Sequence, residues 1–320
     1  MRLVSIPDNP IPTGAIVASA RAVDGVKLRT ARWVPSRPPR GTVAVLGGRA
    51  DFIEKYFETI RQLLDRGLAV AAMDWRGQGG SARQLKNPRK GHIDDFSLYE
   101  RDLDALVSEV LDPSCPRPWY GLCHSMGAAI LLAVARAGRC PFDRLVLASP
   151  MIAFARVKRP RAARLFVEAL DAVGLGGAFA PGGGAKIVVS GPFAGNPLTS
   201  DPTRYARMSG VVAADPELGL GRPTVSWLHA AFRLMREFED PDFPRRTLTP
   251  ILAVASGADR VVDTRATERF ASRLRAGRLI VVDGAEHEIM MERDIFRDRF
   301  WAAFDSFIPG VEGEKARAAP

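Results

Sequence analysis

Trp119-Tyr120-Gly121-Leu122-Cys123-His124-Ser125-Met126-Gly127-Ala128-Ala129-Ile130-Leu131-Leu132-Ala133-Val134-Ala135 is the stretch whose reading decides the fold. The apolar run Trp119 to Leu122 reads as a short buried strand, and the residues from Met126 to Ala137 read as a helix. Between them stands Cys123-His124-Ser125-Met126-Gly127, one residue short of the G-x-S-x-G nucleophile elbow. Such an elbow lifts a serine above the strand ends on a strained turn, and small neighbours let strand and helix approach closely. Cys123 replaces the first glycine, and cysteine is small. The plain alternative is a serine that only caps a helix start.

On both sides of this stretch the chain alternates strand and helix. Ala15 to Trp33 carries an Asp24-Gly25 pair suited to a hairpin turn and reads as an antiparallel edge. Thr42 to Leu46 and Leu68 to Met73 read as buried strands around a helix at Ile53 to Arg66, and a further helix is expected near Leu98 to Leu111. A strand at Arg144 to Ala148 follows the elbow helix. Strand then helix, repeated, implies a mostly parallel central sheet with helices on both faces, an α/β fold.

After Pro150 that rhythm breaks. Helical patches, a Gly-rich stretch at Gly174 to Gly184 and several prolines suggest an inserted helical subdomain instead of more sheet. The pattern resumes with strands at Pro250 to Ala255 and Arg278 to Val282, and helices at Thr264 to Arg275 and Ile295 to Phe307. The expected organisation is therefore a first core part over 1–151, an insertion over 152–246, a second core part over 247–309 and a frayed tail over 310–320.

Ser125 needs a base and an orienting acid, which a fold of this kind supplies in the order serine, acid, histidine from the ends of later strands. His287, in Gly284-Ala285-Glu286-His287-Glu288, follows the last strand and is the candidate base. His92 and His229 fall outside the expected order, and His124 adjoins the serine with its side chain directed elsewhere. Asp259 follows the strand Pro250 to Ala255 and is the candidate acid. Its competitor Asp263 precedes Thr264 at an apparent helix start, where aspartate commonly caps. The developing oxyanion needs two backbone N–H donors, which the order of elements assigns to Met126 and to Arg49 in Gly47-Gly48-Arg49-Ala50-Asp51.

Composition narrows the function classes. The chain is 47% hydrophobic and 25% charged, as ordinary globular proteins are. A formal charge of +9 would suit a polyanion, yet arginine is scattered along the chain and no nucleic-acid-binding module is recognisable, so no nucleic-acid partner is expected. Cys115, Cys123 and Cys140 lack disulfide-framework or metal-finger spacing, and no metal or cofactor is expected. No apolar run near the N-terminus is long enough for a signal peptide or membrane span, which gives a cytoplasmic expectation.

Several further motifs carry a family likeness: Gly48-Arg49 through Lys55-Tyr56, Asp74-Trp75-Arg76-Gly77-Gln78-Gly79-Gly80-Ser81, Gly91-His92, His124-Ser125-Met126-Gly127, Ser149-Pro150-Met151, and Asp259-Arg260-Val261-Val262-Asp263. Together with Gly221-Arg222-Pro223-Thr224 and Trp227 they resemble the bacterial lysophospholipases and monoacylglycerol lipases of the α/β-hydrolase superfamily. The resemblance implies Ser125 as nucleophile, Asp259 as acid, His287 as base, Arg49 and Met126 as oxyanion donors, and a helical cap over the site at about Ile152 to Arg246. It departs from the family at Gly47-Gly48, where His-Gly is common, and at Cys123, where glycine is common.

The implied activity is hydrolysis of a single-chain acyl lipid through an acyl-serine intermediate. A small-ester carboxylesterase, an acyltransferase on the same triad, or an inactive binding protein of the same fold are the alternatives. Trp227, Phe232 and Met235 lie in an apolar series of partly helical spacing that would line an acyl slot or, equally, only pack the cap onto the core. Arg156 to Val173 interleaves apolar and basic residues. It reads either as a segment that lies peripherally against the anionic inner face of a membrane or as a cap helix with a solvated basic face.

Overall fold

The computed structural model describes residues 1–310; the tail expected to fray lies, from residue 311 on, outside the described residues. Eight strands form one sheet in the order β1-β2-β4-β3-β5-β6-β7-β8. They span Ile16–Arg21 (β1), Lys27–Trp33 (β2), Thr42–Leu46 (β3), Ala69–Met73 (β4), Trp119–His124 (β5), Arg144–Ala148 (β6), Ile251–Ser256 (β7) and Gly277–Val282 (β8). The hairpin β1–β2 and the β2–β4 pair are antiparallel, and the remaining pairs are parallel. This is the α/β-hydrolase arrangement.

The inner strands are apolar on both faces because helices cover both. In β3 the side chains of Val43 and Val45 join one core with the Phe57–Asp65 and Asp294–Phe307 helices, while Leu46 joins the other with the Ser97–Leu106 and Met126–Arg136 helices. The same alternation explains why these strands read as continuous hydrophobic runs.

Some boundaries differ from the sequence reading. Ile53–Tyr56 is a 3-10 turn before the helix proper, and all four of its residues are buried, Glu54 and Lys55 included. Those charges answer buried partners, which apolar periodicity does not register. The helix expected at Thr264 to Arg275 ends at Ala271, and β5 runs on to His124, so the strand ends two residues later than the apolar run suggested.

Between β6 and β7 the chain adds no strand to the sheet. Helices span Pro160–Leu170, Pro202–Ala214 and Val225–Phe238. The first and third pack on one another. The second is drawn back against the core, where Arg204 and Arg207 both pair with Glu58 and where Tyr205 and Met208 join the Phe57 and Phe300 cluster. No helix among the described residues is long and apolar enough to cross a membrane.

Candidate active site

The elbow is built by close approach. Ser125 sits at φ 48°, a left-handed conformation that costs a non-glycine residue energy and is held only by surrounding contacts. Its N–H donates to Ala148 O at 3.0 Å, and its carbonyl accepts from Ala129 N and Met151 N at 3.1 Å each. A Cβ on Gly127 would stand 2.6 Å from the carbonyl oxygens of Leu46 and Gly47, so only glycine fits there. Cys123 is fully buried in β5, and the turn at Ser125 forms with it in place of glycine.

Three loops at the C-terminal ends of parallel strands bring the sequence candidates together. His287 Nε2 lies 3.1 Å from Ser125 Oγ, and His287 Nδ1 lies 2.8 Å from Asp259 Oδ2. The other Asp259 oxygen, Oδ1, accepts the N–H groups of Val261 and Val262 at 2.7 and 2.9 Å, which fixes the carboxylate in place. Asp263 takes the structural position: its Oδ1 accepts Ala266 N–H at 3.0 Å as the cap of the Thr264–Ala271 helix. Ser125 is 7% exposed and His287 4%, so the set lies in a sheltered pocket.

Burial alone would lower the His287 pKa, but the charge and hydrogen bond of Asp259, with Glu288 behind, outweigh it and hold the imidazole above its ordinary value. A raised pKa means that the protonated form, which cannot accept the serine proton, persists to higher pH. The acid limb of kcat/KM is therefore expected to have its midpoint above about 6.5. A pH–rate profile measures this, and a midpoint well below 6 would contradict the environment described for His287.

The loop after β3 is where the sequence placed the second oxyanion donor. Gly48 N–H goes to Asp51 Oδ2, and Ala50 N–H goes to Gln78 Oε1 at 3.2 Å. Gln78 also donates through Nε2 to the Gly48 carbonyl at 2.7 Å. Among the described residues the amides of Arg49 and Met126 are taken by none of these bonds; Met126 follows Ser125 in the chain, and Arg49 follows Gly48, which abuts it. Gly48 brings the loop that close, since a Cβ on it would stand 3.0 Å from Ser125 Cβ.

A buried ionic cluster behind the site escaped the sequence reading. The Lys55 ammonium bridges Asp51 Oδ1 and Glu288 Oε2, Tyr56 Oη donates to Asp51 at 2.6 Å, and His124 Nδ1 lies 3.0 Å from Asp51 Oδ2. Burial would depress the Lys55 pKa, but the two carboxylates hold it above its usual value. Asp51, His124 and Glu288 offer ligand atoms within 4.8 Å of one another, as a metal site would, but the ammonium already bridges the two carboxylates. The cluster ties the loop after β3, the elbow and the His287 loop into one unit. The available signal was the Asp51–Lys55 spacing of four, with Glu54 between them, in a segment whose other residues are the apolar Phe52 and Ile53.

The predicted pocket residues divide. Phe232 and Met235 line a cavity of about 690 Å³ with Ile152, Phe154, Phe238 and Phe270. Trp227 lies elsewhere, its ring centroid 5.3 Å from the Arg49 guanidinium carbon.

An α/β sheet whose strained serine, histidine and aspartate form a hydrogen-bonded chain defines a serine hydrolase of the α/β-hydrolase class. Residues 37–294 match the family described as serine aminopeptidase, S33, and the protein belongs to that family. It is similar to lysophospholipase L2 of Escherichia coli strain K12, with 32% identity over 297 residues covering 88% of this chain and 83% of that protein. It is also similar to a monoacylglycerol lipase of Mycolicibacterium smegmatis, 24% identical over 287 residues and covering 86% and 90%. A carboxyl esterase from Bacillus coagulans shares the fold at a TM-score of 0.74 and 21% identity, covering 94% of this chain and 99% of the esterase.

Proposed function

We propose that the protein hydrolyses the acyl ester of single-chain lipids, lysophospholipids or monoacylglycerols, with Ser125 as nucleophile, His287 as base and Asp259 as the group that orients it. The observation that carries this reading is the chain of hydrogen bonds from Ser125 through His287 to Asp259. The family description names a peptidase, but similarity at 32% identity to a protein named lysophospholipase favours esters. Ser125 Oγ adds to the ester carbonyl carbon while His287 Nε2 takes its proton. The amides of Arg49 and Met126 receive the negative charge on the carbonyl oxygen. The carbon–oxygen bond of the alcohol then breaks, and His287 returns the proton to the departing oxygen. Water, deprotonated by the same histidine, releases the fatty acid and restores Ser125.

In this reading residues 152–246 act as the cap, and 1–151 with 247–309 as the catalytic core. The cavity lined by Phe232 and Met235 takes the acyl chain. One of its lining residues, Ile152, adjoins Met151, whose N–H donates to the Ser125 carbonyl, while Ser125 and His287 themselves do not line it. Trp227, buried and facing the Arg49 guanidinium, is not among its lining residues. The Pro160–Leu170 helix and the turn after it leave Leu165, Phe166 and Val173 at 67%, 54% and 71% exposed, with Arg159 and Arg161 beside them. An apolar face with a basic flank suits peripheral contact with an anionic bilayer, where such substrates reside.

Each methylene buried in the slot contributes about 0.8 kcal/mol, so kcat/KM should rise by orders of magnitude with acyl length until the slot is full. Nitrophenyl esters of increasing chain length test this, and long chains should be preferred. A profile that peaks at acetate or butyrate would overturn the lipid reading. The same long-chain substrate presented in anionic vesicles should turn over faster than in neutral ones, and equal rates would remove the membrane contact.

A further inference from the structure

Buried guanidinium groups in this chain are paired with carboxylates. Arg29 meets Glu54 and Asp74, Arg76 meets Asp24 and Asp102, and Arg297 meets Glu58. The pattern follows from the cost of holding a charge away from water without a counter-charge. Arg49, half-buried with its Nε fully covered, lacks such a carboxylate, as does Arg83, which donates to the carbonyls of Ser81, Pro88 and Glu217; of the two, Arg49 is the one beside the nucleophile. Its Nη2 donates to the Gly221 carbonyl at 2.8 Å and its guanidinium faces the Trp227 ring, while its Nε is buried without a hydrogen-bond partner. Among the described residues no carboxylate lies within ion-pairing distance of it. A carbonyl satisfies one donor but leaves the charge unneutralised. Burial accordingly pushes the Arg49 pKa down to about 10, and the like charge of Arg222 adds to the shift.

Position says what the missing counter-charge is for. Arg49 follows Gly48, which abuts Ser125, so its side chain is rooted one residue from the point of contact with the nucleophile. Its other end reaches Gly221, beside Arg222, on the segment that precedes the Val225–Phe238 helix. Close by, Arg89 donates to the carbonyls of Pro216 and Gly219, and Lys90 to that of Gly177, again to backbone oxygens. Arg49 and Arg89 thus both donate to carbonyls of the 216–221 segment, and none of that segment lines the cavity of Phe232 and Met235. An ester at Ser125 whose acyl chain entered that cavity would leave its alcohol to be met by other residues, and Arg49 is rooted beside the serine.

We propose that Arg49, supported by Arg222, holds the phosphodiester of a lysophospholipid headgroup while the acyl ester of the same molecule lies at Ser125. This rests on the single-chain lipid reading above and narrows it. A lysophospholipid carries its phosphate one glycerol length from the scissile ester, a span that a side chain rooted beside the nucleophile covers. The guanidinium offers paired N–H donors that match phosphate oxygens, and its Nε, covered in this structure, has no other partner to give up. A monoacylglycerol presents neutral hydroxyls there and leaves the charge unpaired.

The test is kcat/KM on palmitoyl lysophosphatidylcholine and on monopalmitoylglycerol, for the wild type, R49M, R49K and R222M. Arg49 also supplies a backbone amide to the reaction, so the readout is the ratio between the two substrates and not either rate. R49M should lower the ratio of lysophospholipid to monoacylglycerol by about 10- to 100-fold, the worth of a charge-assisted pair, with R49K less affected. R222M should lower it by a smaller factor, and because Arg222 is exposed this variant decides the matter where R49M does not fold. A ratio within about twofold of wild type in the folded variants, with both substrates still cleaved, overturns the headgroup site and leaves the lipid reading standing. A wild-type protein that cleaves neither substrate overturns the lipid reading, and this proposal with it.

Discussion

Ser125→Ala is expected to reduce ester hydrolysis by a factor on the order of 10⁴ or more while leaving the fold intact, as loss of a triad nucleophile does elsewhere. The size of the effect follows from the geometry. Ser125 Oγ has the His287 imidazole at 3.1 Å, and the backbone at φ 48° exists to present that oxygen, so no neighbouring hydroxyl is placed to substitute for it. Ser149 is the nearest rival in conformation, at φ 45°, but its hydroxyl is spent on Ser256 at 2.9 Å. Removing Oγ deletes the atom that forms the acyl intermediate and leaves only the backbone donors and the pocket. The fold should survive because the bonds that hold the turn come from the Ser125 backbone, which alanine retains. The check is turnover on a long-chain ester beside a thermal unfolding curve. Wild-type-like turnover in the folded variant would remove Ser125 from the chemistry.

The second large effect separates two aspartates four residues apart. Asp259→Asn is expected to lower kcat by a factor on the order of 10⁴, because an amide oriented by the amides of Val261 and Val262 presents the wrong group to His287 Nδ1. The imidazole then takes the tautomer that cannot accept the serine proton. Asp263→Asn should cost little activity, since asparagine caps a helix about as well as aspartate. Steady-state kinetics of the two variants, with matched unfolding curves, decide the matter. Retained turnover in Asp259→Asn together with lost turnover in Asp263→Asn would reverse the assignment.

These two aspartates also show what a sequence discloses and why. Asp259 and Asp263 differ in local context, one in a loop after a strand and one beside Thr264 at a helix start, and local context is legible in a linear chain. The strand and helix order was legible for the same reason, because a sheet covered on both faces writes continuous apolar runs such as Thr42–Leu46 and Ile251–Ser256. The approach of Ser125, Asp259 and His287 followed from strand order in a parallel sheet, whose C-terminal ends all lie on one edge.

What stayed hidden depends on pairings distant in sequence. Lys55 reads as one more charge on a helix until Glu288 is known to lie against it, 233 positions along the chain. Gln78 within Gly77-Gln78-Gly79 is a turn residue in sequence and a brace of the Arg49 loop in space. Trp227 and Phe232 share one helix and one apolar series, yet the helix turns one toward Arg49 and the other toward the cavity. Apolar periodicity marks that such residues are covered without saying by what.

The account stands on covalent chemistry at one serine, and the most direct measurement is the intact mass of the protein after treatment with a fluorophosphonate, followed by peptide mapping. One adduct per chain is expected, on the peptide that contains Ser125, with none on the Ser125→Ala variant and little on His287→Ala. No adduct on the folded wild type, or an adduct on a different serine that persists in Ser125→Ala, would contradict it.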